Sequence, residues 1–182
     1  MKYEHEYILK DGRKCLIRNG GAADAEVLLD VFIRTHAETD FLASYPDENT
    51  HTVEEERDFL LKKENSPDEI ELLAFLDGKA VGSAGFYCVG RREKTRHRAE
   101  FGISVIKDCW GLGIGRALTE TCVTLAKQAG YSQLELQVVA DNTVAVSLYR
   151  STGFSEYGRN PKGFRSRLAG WQELLLMRQE LR

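Results

Sequence analysis

The sequence lacks the features of a membrane or secreted protein. No apolar run approaches the roughly 20 residues that span a bilayer, and the N-terminal segment MKYEHEY is polar where a signal peptide has an apolar core. We therefore predict a cytoplasmic protein without a membrane partner. The chain has only three prolines, so it contains no proline-rich linker, and no repeat divides it. Its 182 residues are predicted to form a single domain, residues 1–182.

The sequence also lacks an excess of charge of one sign. Lysine and arginine number 25, aspartate and glutamate 28, and the formal net charge is −3. A surface that binds nucleic acid is normally strongly basic, because it must neutralise phosphates. The balance therefore predicts no nucleic-acid partner.

Cysteine and histidine are few, and neither is spaced as in a metal site. The four cysteines form no C-x-x-C pair, and the four histidines are scattered; they are Cys15, Cys88, Cys109, Cys122, His5, His36, His51 and His97. We predict reduced, mostly buried thiols and no bound metal. Cys109 adjoins a glycine-rich segment and is a candidate nucleophile, although no histidine lies near it in sequence.

Three alternating glycines are the most informative feature that is present. Gly111, Gly113 and Gly115 follow an apolar strand-like run and precede an amphipathic helical pattern. Because glycine has no Cβ, consecutive amides can approach an anion, and a helix N-terminus adds positive potential. A dinucleotide-binding motif would need glycine at Arg116 or Leu118, and no P-loop string occurs. The segment predicts a phosphate site; the alternative is a glycine-rich turn without a ligand.

A second motif lies some 30 residues downstream, between Asn142 and Phe154. Asn142 and Tyr149 are seven residues apart, which is about two helical turns, so they share one stripe of a helix. This stripe can align a long ligand with Tyr149 near its reactive end. The alternative is an ordinary helix in which Asn142 is the N-cap, Tyr149 a packing aromatic and Gly153 the C-terminal stop.

Hydrophobic periodicity and turn residues predict a mixed α/β protein. Asp11-Gly12 and Asp77-Gly78 are predicted hairpin turns. The predicted helices are 22–37, 52–64, 115–129 and 142–152. Thr52-Val-Glu-Glu is the candidate capping box of the second, and Gly130 is the predicted stop of the third. The predicted strands are a hairpin over 7–18, then 70–76, 79–87, 97–106, 134–139, 154–157 and 173–179. Antiparallel strands precede a strand–helix–strand unit, so we predict a mostly antiparallel central sheet of about seven strands with flanking helices.

Both motifs and the order of elements resemble the GNAT superfamily of acyl-CoA-dependent N-acyltransferases along essentially the whole chain. The glycine segment is similar to the family's pyrophosphate loop, [Q/R]-x-x-G-x-[G/A]. Trp110 stands where that motif has glutamine or arginine. The second motif matches N-x-x-A-x-x-[L/F]-Y-x-x-x-G-F at each defined position.

The resemblance implies a GNAT-like fold and acetyl-CoA as the acyl donor. In the family, the pantetheine arm lies between two splayed strands, here 99–105 and 134–139, and the phosphates lie on the glycine loop. The implied cofactor-binding residues are Ile103, Val105, Trp110, Gly111, Leu112, Gly113, Ile114, Gly115, Arg116, Asn142, Ala145, Leu148 and Tyr149.

The resemblance also implies roles in acyl transfer for two residues. Tyr149 occupies the position where many family members place the general acid that assists the leaving thiolate. Glu100 is the candidate base, because some members use a glutamate on this strand through water. An amide near Val105 would polarise the thioester carbonyl. The alternative for Glu100 is a structural or surface carboxylate.

The acceptor side is less well defined by the sequence. Acidic and aromatic residues in the loop that borders the acceptor pocket in the family suit a cationic amine, although a solvated loop explains them too; they are Asp40, Phe41, Tyr45, Asp47 and Glu48. We predict N-acetylation of a small-molecule amine. Protein N-terminal acetylation, a non-catalytic acyl-CoA sensor and a nucleotide-binding module are the alternatives. The basic run 91–98 is predicted to be a solvated hairpin loop. The alternatives are contact with nucleic acid, with the 3′-phosphate of CoA or with a partner subunit, as in a homodimer.

Overall fold

A computed structural model describes residues 1–181. It contains one eight-stranded sheet flanked by four helices. The strands are β1 (Glu4–Ile8), β2 (Lys14–Asn19), β3 (Ile70–Leu76), β4 (Lys79–Cys88), β5 (Arg98–Val105), β6 (Gln133–Val139), β7 (Ser155–Ser166) and β8 (Gly170–Glu180). The helices are α1 (Ala25–Glu38), α2 (Val53–Asn65), α3 (Ile114–Gln128) and α4 (Thr143–Ser151). The predicted fold class is confirmed, with eight strands where about seven were expected.

The strand order is β1-β2-β3-β4-β5-β6-β8-β7, and neighbouring strands are antiparallel except for β5 and β6. Alternate side chains of β3 face different helices. Leu72 and Ala74 belong to the core that includes α3, whereas Leu73 packs with Leu28 and Leu60 of α1 and α2. The sheet is therefore covered on one face by α3 and on the other by α1 and α2.

The hairpin of β3 and β4 forms at the predicted turn. Asp77 and Gly78 both have positive φ, +51° and +76°, as a two-residue type I′ turn requires. The first hairpin differs from the prediction. Its connection is longer than a two-residue turn, because Leu9 N–H donates to the Arg13 carbonyl (2.8 Å) and Gly12 N–H to the Leu9 carbonyl (3.0 Å).

The helices begin and end close to the predicted residues. Thr52 caps α2, and its hydroxyl accepts a hydrogen bond from Glu55 N–H, which confirms the predicted capping box. Helix α1 begins three residues later than predicted, because residues 22–24 form a 3₁₀ turn. Gly130, with φ of +90°, follows α3 as expected of a C-terminal stop.

Strands β5 and β6 pair only briefly. Their register joins Arg98 to Gln133, Ala99 to Leu134 and Glu100 to Glu135, and beyond these pairs the two strands are no longer hydrogen-bonded. The wedge that results points toward the glycine segment. This splay is what the family resemblance implied, and it positions the site.

Strands β7 and β8 are much longer than predicted. Predicted strands 154–157 and 173–179 extend to Ser155–Ser166 and Gly170–Glu180. The added stretch includes Asn160, Pro161, Lys162 and Gly163, which give no alternating hydrophobic pattern. Irregular register between Asn160 and Phe164 accommodates these residues within the hairpin.

Candidate active site

The glycine segment forms a loop that leads directly into α3. Gly111 and Gly113 have φ of +79° and +101°, which side-chain-bearing residues rarely adopt. Gly113 is the N-cap of α3, so the free amides of the first helical turn follow it. Around Gly111 there is no heavy atom within 4 Å of where a Cβ would lie. The loop and helix N-terminus therefore fit a pyrophosphate held by backbone N–H groups.

Trp110 has a structural role at this loop. Its indole Nε1–H donates to the Val105 carbonyl at 2.7 Å, while 47% of the residue stays exposed. The side chain that departs from the family motif thus ties the loop to the free end of β5. This bond helps to fix the loop relative to the wedge between β5 and β6.

One cavity of about 520 Å³ joins the glycine loop, the end of β5, α4 and the C-terminal end of α1. All the predicted cofactor-binding residues except Leu112 and Ile114 line it. The side chain of Ile114 is fully buried in the core. The Leu112 carbonyl accepts a hydrogen bond from Lys10 N–H at 3.2 Å. Roles for Leu112 and Ile114 through their amides remain predictions.

Tyr149 lies at the inner end of the cavity on α4. Its ring packs edge-on against Phe101 and Phe154, with centroids 6.2 and 5.9 Å away, and the residue is only 8% exposed. Burial holds the pKa of the phenol well above its usual value. Within residues 1–181 its hydroxyl has no hydrogen-bond partner. A neutral phenol that lines a cavity in this way can donate a hydrogen bond to a bound ligand.

Asn142 acts as the N-cap of α4. Its Oδ1 accepts a hydrogen bond from Ala145 N–H at 3.2 Å. Gly153 follows the helix with φ of +102°. The capped-helix interpretation of this motif is therefore correct for these two residues, and Asn142 also lines the cavity.

Glu100 lies at the last pair between β5 and β6 and does not line the cavity. Its Cα lies opposite that of Tyr87 on β4. Burial, together with the charge and hydrogen bond of Glu100, raises the pKa of Tyr87 to about 12. A role for Glu100 as proton acceptor remains a prediction.

The loop between α1 and α2 is tied to the β7–β8 hairpin through Asp40. The Asp40 carboxylate accepts hydrogen bonds from the Tyr45 hydroxyl (3.0 Å) and from the Ser166 hydroxyl (2.6 Å). Arg167 N–H donates to the Tyr45 hydroxyl at 2.7 Å, and its guanidinium pairs with Asp47. These carboxylates are thus engaged within the protein, and the loop is more than a solvated connection.

Several cavity residues carry no signal in the sequence. Lys10 lies at the tip of the first hairpin, and its Cγ is 3.9 Å from where a Cβ of Gly113 would lie. Its ammonium forms no ion pair within the described part of the chain. Thr35 and Thr39 reach the cavity from α1 and the residue after it. Nothing local to these residues indicates the contact, because the fold alone brings them to the glycine loop.

The remaining candidates lie outside the chemistry. Cys109 is nearly buried at the cavity wall, and burial raises the pKa of its thiol, which disfavours a nucleophilic thiolate. In the basic run, Arg91 pairs with Asp68 and Glu69. Among residues 1–181 no cluster of three or more His, Cys, Asp or Glu side chains could hold a metal ion. None of the helices in that range is both long and apolar enough to cross a membrane.

Residues 31–154 match the Acetyltransferase (GNAT) family. The chain belongs to this family. GNAT proteins use acetyl-CoA as the acyl donor, and the glycine loop and cavity fit its pyrophosphate and pantetheine arm.

Two groups of curated GNAT relatives share shorter segments with this chain. A mycothiol acetyltransferase of Jonesia denitrificans is 30% identical over 95 residues, which cover 52% of this chain and 30% of that protein. The ribosomal protein bS18-alanine N-acetyltransferase of Escherichia coli K12 is 41% identical over 56 residues, which cover 31% of this chain and 38% of that protein. The matched segments thus span about a third of these relatives.

Solved GNAT structures match nearly the whole chain. A GNAT-family acetyltransferase from Streptococcus pneumoniae has a TM-score of 0.87 and 31% identity, covering 92% of this chain and 99% of that one. A ribosomal-protein-alanine N-acetyltransferase from Brucella melitensis has a TM-score of 0.79 and 27% identity, covering 91% and 99%. The eight-stranded arrangement described above is therefore the GNAT fold.

Proposed function

We propose that this protein is an N-acetyltransferase that moves the acetyl group of acetyl-CoA to a primary amine of a small molecule. Direct attack takes place in a ternary complex. The observation that carries this proposal is one continuous cavity, which runs from the glycine loop past Tyr149 to the end of α1. One cavity lets a phosphate-bearing donor and an acceptor meet beside the same phenol.

In this mechanism the backbone amides of Gly111 to Arg116 hold the phosphates of acetyl-CoA, which supplies the thioester. The edges of β5 and β6 left unpaired beyond Glu100 and Glu135 hydrogen-bond the pantetheine arm, and an amide near Val105 polarises the carbonyl. The amine loses a proton and forms the new N–C bond as the C–S bond breaks. Tyr149 donates its hydroxyl hydrogen bond to the departing sulfur, which carries the charge that develops.

A small acceptor is supported by the loop that borders the cavity. Residues 39–52 are held against the β7–β8 hairpin through Asp40, Tyr45 and Ser166. Phe41 and Leu42 of the same loop line the cavity. A fixed, partly apolar wall suits a compact amine more than an extended chain.

Protein N-terminal acetylation is the second candidate. It is favoured by the similarity to ribosomal-protein-alanine acetyltransferases. The sequence identity is 41% over the matched segment of one relative and 27% over nearly the whole chain in a solved structure. A protein acceptor would require the loop over residues 39–52 to open.

The decisive experiment is thiol release from acetyl-CoA with a panel of amines: amino acids, polyamines, aminoglycosides and peptides with free N-termini. We expect turnover with at least one small amine. Turnover with peptides alone would replace the small-molecule proposal with the N-terminal one. Tight acetyl-CoA binding without turnover on any amine would indicate a non-catalytic acyl-CoA sensor.

A further inference from the structure

A carboxyl group lies on the sheet face that α1 and α2 cover, outside the cavity described so far. Glu71 is in β3, and its Cα is opposite Gly85 of β4, which in turn is opposite Gly102 of β5. A Cβ on Gly85 would overlap the Glu71 carboxylate. The carboxylate therefore lies over Gly85, displaced from its own strand toward β5.

Gly85 and Gly102 have no side chains, and we call the sheet surface that they form between Glu71 and the wedge the floor. Among residues 1–181, no heavy atom lies within 4 Å of where a Cβ of Gly102 would lie, and Gly102 is exposed. Gly102 is two residues beyond Glu100, where β5 and β6 stop pairing. Since neighbouring strands lie about 4.8 Å apart, the carboxylate over Gly85 is about one strand spacing from Gly102, on the strand that borders the wedge. Glu71 itself retains partial exposure.

Charged groups from the neighbouring elements face Glu71 without forming a direct ion pair with it. Helix α2 contributes Lys63 and Glu56, and β4 contributes Ser83 from the same face of the sheet. Lys63 Nζ is engaged elsewhere, because it donates to Glu69 at 3.1 Å and to the Phe86 carbonyl at 3.4 Å.

Further charges surround this position at larger distance. His51 lies 3.5 Å from the Glu56 carboxylate. On β5, the charged residue Glu100 lies opposite Tyr87. Burial outweighs the attraction of Lys63, and Glu56 adds to the effect, so the pKa of Glu71 rises to about 7. A carboxyl group with this pKa is partly ionised at neutral pH, and its carboxylate is basic enough to accept a proton.

We propose that Glu71 accepts the proton of the attacking amine over the floor formed by Gly85 and Gly102. The ammonium gives one proton to the Glu71 carboxylate, which leaves a neutral amine and a carboxylic acid. The neutral amine then attacks the thioester carbonyl: the N–C bond forms, the C–S bond breaks, and the second proton of the nitrogen passes to the departing CoA sulfur, which leaves as the thiol. The carboxylic acid returns its proton to solvent. This inference rests on the proposed N-acetyltransferase function and gives it a base other than Glu100.

The test compares pH profiles of kcat/KM for the wild type, Glu71→Gln and Glu100→Gln, with an amine found in the panel. We expect wild-type activity to rise through a pKa near 7. Glu71→Gln should lose this step and at least tenfold of its turnover at pH 7, with partial recovery at high pH and unchanged acetyl-CoA affinity. Glu71→Asp still carries a carboxyl group and should retain the step near pH 7 in the profile of kcat/KM. Glu100→Gln should retain it as well.

A second variant tests the route to the amine. Gly102→Val has room for its side chain and should fold, yet it covers the floor between Glu71 and the wedge. It should lower turnover as Glu71→Gln does while acetyl-CoA still binds. Wild-type turnover in Gly102→Val would overturn the proposed path.

A third measurement needs no turnover. A carboxyl whose pKa is raised on folding binds its proton more tightly in the native state, so its contribution to stability is lost as pH rises from about 4.5 to 7. Melting temperatures should therefore fall less steeply with pH over this range in Glu71→Gln than in the wild type. Equal slopes would overturn the inference, as would a pH step retained in Glu71→Gln or lost in Glu100→Gln. Inactivity of the wild type toward every amine would instead overturn the proposed function itself.

Discussion

At the scale of single residues, the acid role proposed for Tyr149 can be tested through its hydroxyl. Tyr149→Phe keeps the ring that packs on Phe101 and Phe154, so folding and acetyl-CoA affinity should change little. The variant loses only the hydrogen bond to the departing sulfur, which matters most as thiolate charge develops. We expect kcat and kcat/KM to fall together by roughly tenfold or more. Steady-state kinetics and calorimetric binding measure the two effects separately.

The choice of acyl donor supplies a control for this prediction. A thioester whose thiol has a lower pKa leaves without assistance, so the defect of Tyr149→Phe should shrink with such a donor. Unchanged kcat in Tyr149→Phe with acetyl-CoA would contradict the acid role and leave the fold and donor site unaffected.

A contribution of Lys10 to acetyl-CoA binding is a second prediction for a single residue, and it follows from the structure alone. Its side chain lies beside the glycine loop, where the donor's phosphates would bring negative charge. Exposed ion pairs are each worth about 0.2–1 kcal/mol, so Lys10→Ala should weaken acetyl-CoA binding by roughly 1.4- to fivefold, and less at high salt. Lys79→Ala removes the same charge at the second hairpin, where the side chain does not line the cavity, and should leave binding unchanged. Equal effects of the two variants would show that only net charge matters.

At the scale of elements, a substitution in the glycine loop can weaken acetyl-CoA binding without lowering the stability of the fold. Gly115 is the second residue of α3, and a Cβ there would meet Leu148 Cδ2 at an ordinary 3.5 Å. Gly115→Asp should therefore fold at least as well as the wild type, because an acidic residue at a helix N-terminus is stabilising. It should weaken acetyl-CoA binding by at least roughly tenfold, through like charge beside the phosphates.

Gly115→Asn is the matched variant, equal in size and without the charge. It should bind acetyl-CoA more tightly than Gly115→Asp, and the difference should narrow as salt rises. If calorimetry gives the same affinity for Asp, Asn and wild type, the phosphates do not bind at this loop.

The elements that could be predicted were those with local signals. The β3–β4 hairpin follows from Asp77-Gly78, α2 from its capping box, and the glycine loop from its spacing. The long β7–β8 hairpin was underestimated, because its pairing is sustained between strands across irregular, polar sequence around Asn160. Contacts such as Asp40 with Ser166 join residues distant in sequence, so no local pattern could reveal them.

The same distinction applies to the candidate site. Asn142, Tyr149 and the glycines lie in two short motifs and were identified from the sequence. Lys10 and Thr35 reach the cavity only because strand order and helix packing bring them there. Glu71 could not be predicted as part of the site either, because a single glutamate in an apolar strand does not indicate that Gly85 and Gly102 lie on the neighbouring strands.

At the scale of the whole molecule, binding of the donor should be measurable as stability. A ligand present at 100 times its dissociation constant stabilises the native state by about 2.7 kcal/mol. For a domain of this size that corresponds to a rise in melting temperature of roughly 5–10 °C. We expect this shift with acetyl-CoA and CoA. A comparable shift with ATP or NAD, in place of CoA, would favour a general nucleotide-binding module.

The short pairing of β5 with β6 divides the sheet into two blocks of unequal size. Three residue pairs, reinforced by the two hydrogen bonds between Arg98 and Glu135 (2.5 and 2.7 Å), join β1–β5 to β6–β8. Such a seam has few backbone hydrogen bonds, so we expect the amide protons along it to exchange readily in the free protein. A donor whose arm hydrogen-bonds to both strands would join the two blocks. Amide protons of β5 and β6 should then become protected together when acetyl-CoA binds.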